Sequence, residues 1–209
     1  VGGEGPHIFY IYEQIQALYI RGGREEGFYT ETLDLDIEQQ PSLPVQVIAD
    51  GSSFDVRVQG SHPTPETVYV DDADILAVSD LEGNYLAFRD FLIANQVIDT
   101  SLNWIFGNGH LVLLGDFVDR GSSTTQLLWL VYKLEQDARE KGGRVHFIIG
   151  NHEIKNMQGN FRSAAPRYQP VAGILGKQQH ELFGPDAVIG RWLESKNSVE
   201  KINGYLFAH

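Results

Sequence analysis

From residue 74 onward, short apolar runs alternate with stretches of helical periodicity, and that alternation limits the chain to a layered architecture. The runs are Ile75–Val78, Leu111–Leu114, Val145–Ile149 and Tyr205–Ala208. A continuous apolar run of this length is the pattern of a strand buried on both faces, as in a parallel sheet covered by helices. Between the first two runs, Leu86, Phe88, Phe91 and Leu92 lay a broad apolar stripe along residues 85–95. A longer helix is predicted after Gly121, capped by Ser122 or Ser123, with Leu127, Leu130, Val131 and Leu134 at i, i+3, i+4 and i+7. Gly142-Gly143 stops it, and further helices are expected near 177–183 and 186–196. The spacing predicts an α/β fold.

The first 66 residues have a different texture. Ile8–Tyr12, Gly27–Thr30 with its continuation through Leu33 and Leu35, Val45–Ile48 and Phe54–Val58 read as strands. Asp50-Gly51-Ser52-Ser53 supplies a hairpin connection and Arg21-Gly22-Gly23-Arg24 a turn. Gly60-Ser61-His62-Pro63-Thr64-Pro65 is the most linker-like stretch, so residues 1–66 are read as a small β-rich appendage and residues 67–209 as the main domain. The appendage is also the more acidic part. It holds 11 acids against 3 bases, while residues 67–209 hold 17 against 13.

A net charge of −12 argues against general affinity for nucleic acid or an anionic membrane. Cysteine is absent, which removes disulfides, thiolate metal sites and thiol catalysis together. No apolar run reaches the roughly 18–20 residues of a membrane-spanning helix. The sequence begins at Val1 and stops at His209 in mid-pattern, so both ends read as cut. Compartment and oligomeric state stay open.

Each of the four apolar runs ends on a potential metal ligand. Ile75–Val78 leads to Ser79-Asp80-Leu81-Glu82, and Leu111–Leu114 leads to Gly115-Asp116-Phe117-Val118-Asp119-Arg120-Gly121. The third run leads to Gly150-Asn151-His152-Glu153, and the fourth runs straight into His209. Functional groups in open α/β sheets gather at the carboxyl ends of strands, where several loops converge. Asp, Glu, Asn and His are hard or borderline donors, suited to Mn, Fe or Zn rather than to a soft metal. Any one of these loops alone is explained by ordinary turn chemistry; four of them in order are not. Other motifs are missing. No phosphate-cradling P-loop occurs, and position 156 is Asn where a His-Glu-x-x-His zinc motif needs His.

Gly115-Asp116-Phe117-Val118-Asp119-Arg120-Gly121 followed by Gly150-Asn151-His152-Glu153 resembles the phosphoprotein phosphatase branch of the calcineurin-like metallophosphoesterases. The run Gly150–Arg162 further resembles the bacterial Shewanella-like phosphatases. The resemblance covers roughly residues 74–209. It implies the N-terminal half of a four-layer αββα sandwich, two divalent metal ions (Mn, Fe or Zn), and hydrolysis of a phosphomonoester by a metal-bridging hydroxide. Position by position, it implies that Asp80 binds the first metal, Asp116 bridges both, and Asn151 and His209 bind the second. His152 would protonate the leaving oxygen, Asp119 would orient His152, and Arg120 would grip phosphate oxygens. Asn151 would also face the substrate, and Arg162 is a further candidate for phosphate contact.

Two departures accompany the resemblance. The family carries His two positions after the first Asp, where this chain has Glu82, so Glu82 is expected as a carboxylate ligand or, alternatively, as no ligand at all. The family also continues past the position of His209 with a Gly-rich loop, a further His ligand and often another Arg. On that basis the 209-residue chain by itself is expected to show little or no activity. Phosphorylated protein is the favoured substrate class. A small-molecule or nucleotide phosphoester, or a noncatalytic binding protein on the same fold, is the alternative.

Overall fold

A computed structural model describes residues 2–209. The chain opens with an antiparallel sheet of β1 (His7–Ile11), β2 (Gln14–Gly23) and β3 (Gly27–Leu35), ordered β1-β2-β3. β2 is not evident from periodicity, because Ala17-Leu18-Tyr19-Ile20 breaks the alternation and is buried throughout. The strand also runs on through Gly22 and Gly23, so the turn falls at residues 24–26 rather than 21–24. β4 (Ser42–Gln46) and β5 (Ser53–Arg57) form the predicted hairpin, alternating exposed and buried positions along both strands.

The chain then passes through β6 (Val68–Tyr69), β7 (Ile75–Val78), α1 (Tyr85–Ala94), β8 (His110–Leu114), α2 (Thr124–Glu140) and β9 (Arg144–Ile148). It ends with α3 (Asn151–Met157), α4 (Tyr168–Ile174), α5 (Val188–Glu194), β10 (Val199–Ile202) and β11 (Tyr205–Ala208). β7, β8 and β9 make a parallel sheet with β8 in the centre. Double burial holds for β8; β7 is an edge strand with one neighbour and is only half-buried. The fourth apolar run does not join these three. β11 pairs antiparallel with β10, and β10 pairs parallel with β6, giving a second sheet. Val112 and Ile148 of the first sheet pack against Ile202, Tyr69 and Phe207 of the second, so the two sheets lie face to face.

Helix α2 is the hub of the core. Its Leu127, Leu130 and Leu134 share one apolar cluster with Val45, Phe54 and Val56 of the hairpin and with Leu111, Leu113 and Phe147 of the parallel sheet. The strands of the first 57 residues and those of the parallel sheet are thus held through the same helix. Helix α4 is an element that sequence periodicity does not show. The stretch at 179–183 is a 3₁₀ turn rather than a longer helix, and α5 lies within the expected 186–196.

Candidate metal and phosphate site

The ends of β7, β8, β9 and β11 come together. Backbone bonds join the loops: Asp80 N–H donates to Gly115 O at 3.0 Å, Glu82 N–H to Asp116 O at 3.0 Å, and Gly83 N–H to Phe117 O at 2.7 Å. Two glycines set how closely the loops approach. A Cβ on Gly115 would lie 2.5 Å from Gly150 Cα, and Gly115 also has φ +69°. A Cβ on Gly150 would lie 2.5 Å from the Asp116 amide nitrogen. Any larger residue at either position forces the second and third loops apart.

Five site residues adopt left-handed backbone: Asp80 (φ 56°), Glu82 (φ 45°), Asp116 (φ 58°), Asp119 (φ 74°) and Arg120 (φ 52°). This conformation costs an L-residue roughly 1–2 kcal/mol, less for Asp, whose short side chain suits it. Glu82 and Arg120 have no such excuse, and strain of this kind collects where side-chain placement matters more than stability.

Asp116 sits at the centre and is buried. Its Oδ1 accepts the His152 N–H at 2.9 Å, and its Oδ2 lies 3.3 Å from His209 Nε2 and 3.8 Å from His152 Nε2. His209 Nδ1 is 2.7 Å from Leu114 O. A carbonyl only accepts, so Nδ1 carries a proton, and in the neutral tautomer this fixes, the Nε2 lone pair faces Asp116. Asn151 Oδ1 lies 2.9 Å from that same Nε2, and its amide oxygen faces only acceptors while its nitrogen faces Lys155. A carboxylate oxygen, an amide oxygen and an imidazole nitrogen therefore turn their lone pairs toward one another. That arrangement repels itself unless a cation lies among the three or the amide turns over, and these donors suit a hard or borderline divalent ion. With the amide turned over, Nδ2 instead donates to Asp116 at 3.1 and 3.2 Å and to His209 Nε2 at 2.9 Å, and the oxygen accepts from Lys155 Nζ at 2.8 Å. The residues present fit a metal on this side.

Beside them, His152 Nδ1 lies 2.7 Å from Asp119 Oδ2, and both side chains are buried. The other Asp119 oxygen accepts from Asn156 Nδ2 at 2.8 Å, and the same Nδ2 donates to His152 O at 2.9 Å. Asn156 thus locks the pair. It lies one helical turn after His152, an i, i+4 spacing that could have pointed to it. Glu153 is a second residue that residue-type reasoning misses. It is fully buried, and its carboxylate accepts the N–H groups of Asp116 (2.9 Å), Phe117 (2.8 Å), Val118 (3.1 Å) and Gly150 (2.9 Å). Burial pushes this carboxyl above the usual carboxylate range, and the four N–H groups pull it back part of the way. Its spacing, three residues after the Gly150 that caps α3, is the sequence signal for such a role.

The remaining predicted residues are placed differently. Glu82 pairs with Arg120, its Oε1 3.1 Å from Nη1, and the Arg120 side chain is 63% exposed. Asp80 is exposed at the turn after β7, and Arg162 is exposed on the loop 159–164. Among the described residues no three Asp, Glu or His side chains meet at metal-binding spacing. The converging set that does form uses Asn151 as its third donor.

Comparison with known proteins places residues 73–209 in a family. The calcineurin-like phosphoesterase family model matches residues 73–209. Over 88 residues, 42% of this chain and 22% of the relative, the sequence is 35% identical to Shewanella-like protein phosphatase 2 of Arabidopsis thaliana. Over 137 residues, 65% of this chain and 38% of the relative, it is 28% identical to Shewanella-like protein phosphatase 1 of Plasmodium berghei. The cold-active protein-tyrosine phosphatase of a psychrophilic Shewanella superposes with a TM-score of 0.83 at 30% identity, covering 99% of this chain and 60% of that one. The chain spans well under half the length of these two curated relatives.

Proposed function

The chain belongs to the calcineurin-like phosphoesterase family, and from that premise we propose that its protein is a binuclear metal-dependent phosphomonoesterase acting on phosphoproteins. The observation that carries the proposal is the convergence of three ligand-type side chains, Asp116, Asn151 and His209, beside a buried His152–Asp119 pair. When bound, divalent ions supply a Lewis acid for a phosphoryl oxygen and a source of nucleophile at neutral pH.

The chain's own groups do the rest. His152 is held by Asp119 through Nδ1, which leaves Nε2 to carry a proton toward a leaving oxygen. Asp119 offsets the positive charge of the imidazolium when that proton is present, and Asn156 keeps Asp119 from rotating away. Arg120, exposed at the rim, offers a planar fork to phosphate oxygens and exchanges its contact with Glu82 for one with substrate. The preference for phosphoprotein is supported by the names of the relatives, two of them protein phosphatases and one a protein-tyrosine phosphatase. The test is hydrolysis of p-nitrophenyl phosphate by the full-length protein with Mn²⁺ and after chelation, in wild type, Asp116→Asn and His152→Ala. Equal rates in all three would sink the proposal.

A further inference from the structure

The segment before β1 sends a carboxylate into the interior. Glu4 is fully buried. It meets Arg167 Nη2 at 2.9 Å, Gln126 Nε2 at 3.4 Å, His7 Nε2 at 3.3 Å and the Thr125 hydroxyl. A buried carboxylate is costly to keep unless every lone pair is used, and this one is used by residues from three separate stretches of chain.

The partner of Glu4 connects it to the candidate site. Arg167 Nη1 donates to Ser122 O at 2.9 Å, and the Tyr168 hydroxyl donates to the same carbonyl at 3.3 Å. Ser122 lies two residues after Arg120. The Arg120 N–H in turn donates to Ser163 O at 2.9 Å, four residues before Arg167. Residues 120–122 are therefore gripped from the 163–168 segment, and that segment is anchored on Glu4. Arg167 suits this task because a planar guanidinium serves two directions at once, one Nη on a carboxylate and the other on a carbonyl. Its buried Nε has no partner, so its placement serves the two Nη contacts.

We propose that Glu4, acting through Arg167, is a positioning residue that holds Arg120 in its left-handed, phosphate-ready geometry. The inference rests on the reading of Arg120 as a phosphate-binding group. Glu4 touches neither substrate nor metal donors; it fixes the backbone from which Arg120 projects. A strained residue stays in its conformation only while its surroundings over-determine it, and the Glu4–Arg167–Ser122 chain is one of those constraints.

The test uses the full-length protein, with inorganic phosphate as the probe. Glu4→Gln and Arg167→Lys are expected to weaken phosphate binding about five-fold by calorimetric titration. They are also expected to raise KM for p-nitrophenyl phosphate by a similar factor, with kcat within about two-fold. Amide exchange at Arg120 and Gly121, whose N–H groups are bonded to Ser163 O and Glu82 O, should accelerate in both. Val45→Ala, which trims the same core far from the site, should lower the melting temperature without changing phosphate affinity. Should Glu4→Gln not fold, Glu4→Gln/Arg167→Met leaves no unpaired buried charge and is read the same way. Wild-type phosphate affinity and amide exchange in the Glu4 variants, or an equal loss in Val45→Ala, would overturn the inference alone. A wild type that neither binds phosphate nor hydrolyses the ester would overturn both this inference and the phosphatase reading.

Discussion

The two sides of the candidate site differ in what stands behind each side chain. On one side, His209 is anchored by Leu114 O, Asp116 by the His152 N–H, and Asn151 by its place at the start of α3. These three converge. On the other side, Asp80 and Glu82 sit in left-handed turns near solvent, and Glu82 engages Arg120 instead of a fellow donor. Both sides carry ligand-type residues at strand ends, so residue type does not separate them. Support from behind does: a donor held by a second bond points where the fold aims it, and an unsupported one finds the nearest opposite charge.

The sharpest way to break the contrast is at its centre. Asp116→Asn should lower turnover of p-nitrophenyl phosphate by about three orders of magnitude, because the side chain loses its charge while keeping its shape. His152→Ala should cost about 10²–10⁴-fold and remove the limb of the pH–rate profile that reports the proton donor. Glu153→Gln tests the supporting shell. It turns an NH₂ toward N–H groups that now meet a carboxylate, which should destabilise the fold by about 2–3 kcal/mol in urea unfolding and loosen the loop at Asp116.

Glu82→Gln probes the weaker side and has two readable outcomes. If Glu82 chiefly restrains Arg120, releasing it should lower KM about two-fold, as expected for an exposed ion pair. A ten- to hundred-fold loss of metal affinity, roughly what a ligand or its support commands, would instead make the two sides alike. A further effect lies outside both. His62 is held near pKa 4, against 6.5 for a free imidazole, first by burial and then by the charges of Lys196 and Arg191. The unfolded chain therefore takes up the proton first as pH falls. The stability from His62 is full above about 6.5 and is lost toward 4, by roughly 2 kcal/mol once solvent screening is discounted. His62→Gln should flatten that decline in the urea midpoint, separating acid unfolding from protonation of the site.

Much of this arrangement is legible in the sequence, for identifiable reasons. Apolar runs mark β8 and β9 because both are covered on two faces, and the motif residues stand out because they follow those runs directly. Sheet membership is less legible. Tyr205–Ala208 resembles the other runs, yet β11 belongs to the second sheet, since periodicity encodes burial and not the pairing partner. β2 is hidden where alternation gives way to full burial at residues 17–20. At the site, Asp116, Asn151, His152 and His209 are visible as residue types, whereas the Glu82–Arg120 pair is not, because it depends on two left-handed turns that no local pattern announces. Glu153 and Asn156 act on backbone amides and on Asp119, contacts that appear only when β8 and α3 are side by side.

The central claim is that Asp116, Asn151 and His209 turn toward a divalent cation. Titration of the full-length protein with Mn²⁺, followed by electron paramagnetic resonance, tests it most directly. Wild type should bind the ion, and Asp116→Asn, Asn151→Ala and His209→Ala should each lose at least one binding event while remaining folded by circular dichroism. Unchanged stoichiometry and affinity in all three variants would contradict it.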